Sequence, residues 1–217
     1  MSENVKDDQA RQRGRGQART RLARRAVVTA ARALFVERGY AATTIDAIST
    51  RSDVPPATVY RLFTSKLGIL KALLDTSIGG DDQPLAVRDQ PTVAGLFAEP
   101  DPAKLLAGFA GITAAINQRS NDVYRVLVSA AGSDFAAAGL LTEIQQQRDQ
   151  GQGQIARALA QNGTLRAGLR PGDAADLIHA LMSPEVYRLL VIDRQWTPEQ
   201  YQKWLTTTLT QQLLPPA

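Results

Sequence analysis

Cysteine is absent from the 217 residues, and histidine occurs once, at His179. Disulfides, thiolate metal sites and multi-histidine metal sites are therefore excluded, and neither a metal nor any other cofactor is expected. No apolar run reaches the roughly 18 residues that a membrane span requires, so no membrane partner is expected. The opening "MSENVKDDQARQRGRG" lacks the apolar core of a secretory signal, which makes a cytoplasmic location the expectation. Catalytic constellations are missing too. There is no nucleophile–base–orienter set and no glycine-rich phosphate loop, and the acid pair Asp81/Asp82 falls in a linker-like stretch. An enzyme is not expected.

What the chain does have is an uneven charge. Residues 1–66 carry 13 Lys and Arg against 6 Asp and Glu, a surplus of +7, while residues 67–217 carry 12 against 15. A basic front third points to a surface that meets a polyanion, although a merely solubilising tail has the same signature. Residues 1–19 are polar and lack apolar periodicity, so they are expected to be a disordered basic arm. Arg11, Arg13, Arg15 and Arg19 would follow phosphates or enter a minor groove, or simply stay solvated.

From Thr20 onward apolar residues recur at helical spacing, and no strand pattern competes, so the class is all-α. The first helix is expected over 20–38, stopped by Gly39 in a left-handed conformation. Thr43 reads as the N-cap of a short second helix, with Asp46 three residues later. "SDVPP" breaks that helix near 52–56, and Val59, Leu62 and Phe63 make the apolar face of a third. A fourth helix covers about 65–78 before a linker, "GGDDQP". Beyond a short helix near 92–98, further helices are expected over 101–118, 121–131, from "SDF" to 161, 172–192 with a break at Pro184, and 197–213 with a Thr197/Gln200 capping box.

Two short helices joined by a tight turn, about 43–63, form a helix-turn-helix candidate. The adjacent prolines fit its second helix. Pro55 holds Val54 extended, and Pro56 starts a helix whose first amides have no partners to lose. Pro56, Ala57, Tyr60 and Arg61 then lie opposite the buried face, with Thr58 at the boundary. Such an N-terminus in a major groove would set apolar atoms against thymine methyls and Arg61 against guanine or phosphate. Two ordinary helices separated by a proline break would have the same spacing.

The segments "AARALFVERGYAATTIDAIS" (30–49) and "VPPATVYRLFTSKLGIL" (54–70) resemble the DNA-binding region of TetR-family transcriptional regulators. The resemblance covers roughly residues 22–74. It implies phosphate contacts by Thr43 or Thr44, Thr58, Tyr60 and Lys66, and groove contacts by Pro55, Pro56, Ala57 and Arg61. It also implies a variable helical C-terminal region holding an effector pocket and a dimer interface. Two positions depart from the family pattern. Asp53 stands where glycine is common in the turn, and Pro55 stands where a serine or threonine often caps the recognition helix. Both bear on the docking geometry.

The resulting organisation is an arm (1–19), a DNA-binding domain (20–78) and an effector-binding and dimerisation domain (79–217). Candidate pocket residues are Phe109, Ile112, Ile116, Tyr124, Leu127, Val128 and Phe135, with Asn117, Arg125 and His179 as polar anchors. Candidate dimer residues are Leu177, Leu181, Tyr187, Leu190, Tyr201, Trp204, Leu205 and Leu209, which serve equally as intrachain core. The expected function is a homodimeric repressor bound to a palindromic double-stranded operator and released by a small-molecule effector of unspecified class. The alternative is a basic-arm nucleic-acid or protein-interaction module without effector control.

Overall fold

Helix α1 (Ser2–Ala42) carries Val27, Ala30, Ala31, Leu34 and Phe35 as one fully buried stripe. Its regular geometry breaks at Gly39, where φ is 78° and ψ 168°. The positive φ is as expected, but the ψ takes Gly39 out of the left-handed helical region into extended backbone that glycine alone adopts cheaply. The computed structural model describes the backbone of residues 2–80, 87 and 90–216, with side chains from Gly16 onward. The arm expected to be disordered at 1–19 is instead helical from Ser2 and continuous with α1; the side chains ahead of Gly16 lie outside the described residues.

Every described element is helical, and no strand occurs among the described residues. After α1 come α2 (Ile45–Ser52), α3 (Pro56–Phe63), α4 (Lys66–Gly79), α5 (Pro91–Phe97), α6 (Pro102–Ala131), α7 (Phe135–Gln161), α8 (Pro171–Leu181), α9 (Pro184–Tyr187) and α10 (Pro198–Leu213). A π-helical segment, Arg188–Asp193, continues α9. Caps account for most boundaries. Asp101 accepts from the amides of Ala103 and Lys104, Asp134 from those of Ala136 and Ala137, and Thr197 shares a reciprocal capping box with Gln200.

Two boundaries correct the sequence reading. The N-cap of α2 is Thr44, whose hydroxyl accepts from Ala47 N at 3.1 Å, and not Thr43. The helices expected over 101–118 and 121–131 are one, α6. Its polar middle does not compete with the helix, because Ser120 donates back to Ile116 O at 2.8 Å and Asn121 donates across to Pro184 O at 2.8 Å. The break expected at Pro184 is there: α8 ends at Leu181, and Ser183 caps the new start at Pro184 by accepting from Val186 N.

Two apolar cores result, and α6 and α7 belong to both. The first packs α1 to α4 against Val123, Tyr124, Leu127 and Ala130 of α6 and Ala137 and Leu140 of α7. The second joins α5, α8, α9 and α10 to Leu105, Leu106, Phe109 and Ala110 of α6 and Ile155, Ala156 and Leu159 of α7. Polar ties reinforce the first junction. Arg32 on α1 bonds both carboxylate oxygens of Asp122 at 2.9–3.2 Å and Arg119 O at 2.7 Å, and Lys71 on α4 reaches Glu143 on α7 at 2.8 Å.

Candidate nucleic-acid interface

The turn between α2 and α3 is built by backbone geometry and one serine. Asp53 closes α2 in the left-handed conformation, φ 53° and ψ 35°, with its amide donating to Ser49 O. Aspartate tolerates that conformation better than most residues, so the turn forms without glycine. Ser49 Oγ, buried, donates to Val54 O at 2.6 Å and holds the outgoing strand of the turn, while Val54 itself is buried. Pro55 follows at φ −55° and ψ 142°, and its carbonyl accepts from Thr58 N and Val59 N. No side chain caps α3; the proline pair leaves fewer first-turn amides needing a partner.

Helix α3 is strongly two-faced. Val59 and Phe63 are buried against the first core, with Leu62 packed beside them. Pro55, Pro56, Ala57, Tyr60 and Arg61 are exposed and Thr58 is half-buried. Tyr60 is 53 % exposed, which is unusual for a residue of its apolar area and leaves its hydroxyl in solvent. Arg24 of α1 braces the far end, donating to Leu62 O at 3.4 Å with its guanidinium 4.7 Å from the Phe63 ring centre. Exposed arginines at 21, 24, 25, 51 and 61 surround this domain. Arg51 pairs with Glu37 at 3.1 Å, and that contact holds the Glu37 carboxyl below the usual carboxylate range.

Two expected phosphate contacts are corrected. Thr43 is 1 % exposed, and its hydroxyl bonds Gly39 O at 2.8 Å and Leu34 O at 3.3 Å. It locks the end of α1 and has no face toward a duplex; Thr44, exposed at the α2 N-terminus, does. Lys66 also points inward. Its ammonium donates to Tyr40 O at 2.7 Å and Thr43 O at 2.9 Å and lies 4.2 Å from the Tyr40 ring centre. Burial pushes its pKa below the ordinary lysine value. Lys66 therefore clamps the α1–α2 turn.

The candidate pocket residues do not gather in one place. Phe135 is 95 % exposed, Val128 is 43 % exposed and Arg125 is exposed, so none of the three lines an interior. They sit on the outward face of the α6–α7 hairpin, which helical periodicity alone did not distinguish from the inner one. Leu127 belongs to the first core and Phe109 to the second, where its ring meets Phe97 at 5.1 Å. Ile112 and Ile116 are half-buried and Asn117 is buried. Tyr124 and His179 do converge, together with Arg148 and Glu185, which the sequence reading missed. Arg148 Nη2 lies 2.8 Å from His179 Nε2, and Tyr124 donates to Glu185 at 3.2 Å. The signal was present in α7, whose inward stripe Leu140, Ile144, Ile155, Leu159 is interrupted by Arg148 and Gln152.

Of the candidate dimer residues, Tyr187, Tyr201, Leu205 and Leu209 are fully buried in the second core, so they pack within one chain. Leu177, Leu181, Leu190 and Trp204 are only partly buried. The π-helical segment adds Leu189 and Ile192, 48 % and 43 % exposed. No group of residues suited to a metal ion and no helix long and apolar enough to cross a membrane occur among the described residues.

Residues 27–73, the helices just described, match the model of the bacterial regulatory proteins of the tetR family. Over those residues the chain is similar to the TetR-type DNA-binding domain. Similarity to the TetR type extends beyond it. The chain is 29 % identical over 179 residues to the uncharacterized HTH-type transcriptional regulator YdeS of Bacillus subtilis (strain 168), covering 82 % of this chain and 83 % of that protein. NalD of Pseudomonas aeruginosa, described as the secondary repressor of the MexAB-OprM multidrug efflux pump, superposes with a TM-score of 0.67 at 19 % identity over 90 % of this chain and 98 % of NalD. SmeT in complex with triclosan superposes equally, TM-score 0.67 at 15 % identity, over 90 % and 93 % of the two chains. At those identities the two structures speak for the shared TetR-type fold. The matching family model and the curated relative are both those of transcriptional regulators and not of enzymes.

Proposed function

We propose that the chain is a homodimeric repressor that binds a palindromic operator through α3 and leaves it when a small organic molecule occupies the helical body. The observation that carries the reading is the two-faced recognition helix: Val59 and Phe63 fix it to the core while Pro55, Pro56, Ala57, Tyr60 and Arg61 face outward. Apolar proline and alanine atoms suit thymine methyls, and Arg61 suits guanine O6 and N7. Tyr60, Thr58 and Thr44 supply hydroxyl donors for phosphates.

A second copy is required because one recognition helix reads too few base pairs for a specific site. Leu189 and Ile192, with the half-buried Leu177, Leu181, Leu190 and Trp204, offer an apolar self-complementary face. A two-fold dimer whose α3 helices stand about 34 Å apart, one turn of DNA, would read a palindromic operator. Effector control is supported by the likeness to NalD, a repressor, and to SmeT, which takes triclosan. Release then follows when the molecule prefers a different helix separation. No membrane partner and a cytoplasmic site of action complete the reading.

The test is a gel shift on the DNA upstream of the protein's own coding region at several salt concentrations. Specific retardation should fall steeply with salt, with a log–log slope of about −0.9 per neutralised phosphate. Arg61→Ala should weaken specific binding by about 1–3 kcal/mol and relax sequence preference at the contacted base pair. Absence of retardation at low salt overturns the reading.

A further inference from the structure

Four helices of the body converge on one incompletely satisfied polar cluster. Arg148 of α7 is 20 % exposed in its side chain, yet its Nε and Nη1 groups are buried and have no hydrogen-bond partner among the described residues. Its one hydrogen bond among the described residues runs from Nη2 to His179 Nε2 on α8, at 2.8 Å. Guanidinium only donates, so that histidine nitrogen accepts and the ring proton sits on Nδ1. The Nδ1 group is also buried and unpaired, with Asp149 Oδ1 at 3.9 Å, and so is Oε1 of Gln152. Among the described residues the carboxylate that pairs with the guanidinium is Glu185 of α9, 55 % exposed and 3.8 Å from Nη1, too far for a hydrogen bond. Glu185 is held instead by the Tyr124 hydroxyl of α6 at 3.2 Å.

Orphaned buried polar groups are rare because each forfeits its hydration without return. Here they concentrate in one place, are mostly donors, and surround a permanent positive charge. An arginine on a stripe otherwise built from leucine and isoleucine costs stability unless something binds it. The chemistry that satisfies such a set is an anionic oxygen, whose hydrogen bonds to a guanidinium are charge-assisted.

We propose that Arg148 is the anchor for an organic carboxylate effector, which takes the guanidinium from Glu185. This rests on the reading of the chain as an effector-controlled regulator and specifies the effector's class. The exchange has a consequence for shape. Glu185 lies in the first turn of α9, directly before the π-helical segment that carries Leu189 and Ile192. With the guanidinium engaged elsewhere, α9 loses the Glu185 charge contact to α7 and keeps two polar ties to α6 among the described residues, Tyr124 to Glu185 and Asn121 to Pro184 O. Carboxylate binding is thereby read out on the face proposed to meet the partner subunit.

The test uses the full chain and three matched probes, 3-phenylpropionate, 3-phenylpropanol and 3-phenylpropylamine, with acetate as a carboxylate small enough to enter any cavity. Binding is followed by thermal shift, by calorimetry and by the Arg148 Nε–H resonance, assigned from its loss in Arg148→Gln. The two carboxylates should raise Tm and move that resonance, whereas the alcohol and the amine should do neither. Glu185→Gln removes the internal competitor and should tighten carboxylate binding, while Arg148→Gln should weaken it more than about tenfold. Glu185→Gln also guards against a folding failure in the arginine variant, since it must gain affinity to support the proposal. An equal response to the alcohol, an unchanged affinity in Glu185→Gln, or an Nε–H resonance indifferent to both carboxylates overturns it and leaves the cluster a water site. A gel shift on the upstream DNA is run with the same proteins. Loss of retardation in the unliganded wild type strikes the regulator reading, and the calorimetry judges the anion site independently.

Discussion

Single side chains decide several features that no helical pattern announces. Gly68, in the first turn of α4, has no room for more: a Cβ there would stand 2.1 Å from Phe63 O and 3.2 Å from its carbonyl carbon. The obstacle is backbone, so it cannot swing aside. Gly68→Ala should destabilise the chain by about 1–3 kcal/mol, a fall in Tm of several degrees, and should weaken DNA binding because α3 itself must move. Calorimetry and the gel shift read the two effects. Tyr201 works the other way. Its ring is fully buried, 4.9 Å from the Tyr187 ring centre, its hydroxyl meets the Asn117 side chain without a well-aligned hydrogen bond, and burial pushes its pKa up. Tyr201→Phe keeps the packing and removes a poorly satisfied group, so it should leave stability unchanged or raise it by about 1 kcal/mol. A loss of more than that in chemical denaturation would show that the hydroxyl is bonded in solution.

At the scale of elements, the turn between α2 and α3 rests on one left-handed residue, Asp53. Alanine there carries a Cβ without the local hydrogen bonding that makes aspartate tolerable, and glycine carries no Cβ at all. Asp53→Ala should therefore be less stable than Asp53→Gly by about 1–2 kcal/mol, measured as the difference between their denaturation midpoints. Equal midpoints would mean that the turn opens without cost. The same element shows how much of the interface was legible. The proline pair, the alternation of buried Val59 and Phe63 with exposed Tyr60 and Arg61, and the helix ends near 52 and 63 all follow from local rules, and the structure has them. Thr43 and Thr44 were harder to separate. Both are threonines ahead of a helix, and only the packing of α1 turns the first hydroxyl inward to Gly39 O and the second outward. Lys66 misled for a similar reason. A lysine at a helix start reads as a surface charge, but here the carbonyls of Tyr40 and Thr43, more than twenty residues away in sequence, lie within its reach.

For the whole molecule the decisive feature is that α6 and α7 serve both cores. A division of the chain after residue 78 separates the elements in sequence without separating them in space. The DNA-binding helices cannot expose Val123, Tyr124 and Leu127 of α6 without disturbing a helix that also carries Leu105 and Phe109. Thermal unfolding should accordingly be one transition, with calorimetric and van't Hoff enthalpies in agreement, and not two resolved domain transitions. Two peaks in differential scanning calorimetry would show that the shared helices do not couple the halves. The same contacts would link the proposed effector site to the DNA-binding helices: Asn121 ties α9 to α6, and the Arg32–Asp122 pair ties α6 to α1.

The amino-acid sequence alone determined the helical class, the caps at Asp101 and Thr197, the break at Pro184, and the outward face of the recognition helix. Each depends on residues within one or two turns of each other, where backbone sterics and capping bonds act. Only the tertiary structure decided which of two adjacent threonines faces solvent, that Tyr187, Tyr201, Leu205 and Leu209 are internal packing, that Phe135 points away from the body, and that Arg148 lies among unpaired donors. A helix repeats every 3.6 residues and so reveals that it has an apolar face. What that face is pressed against depends on contacts between distant parts of the chain, which no local spacing encodes.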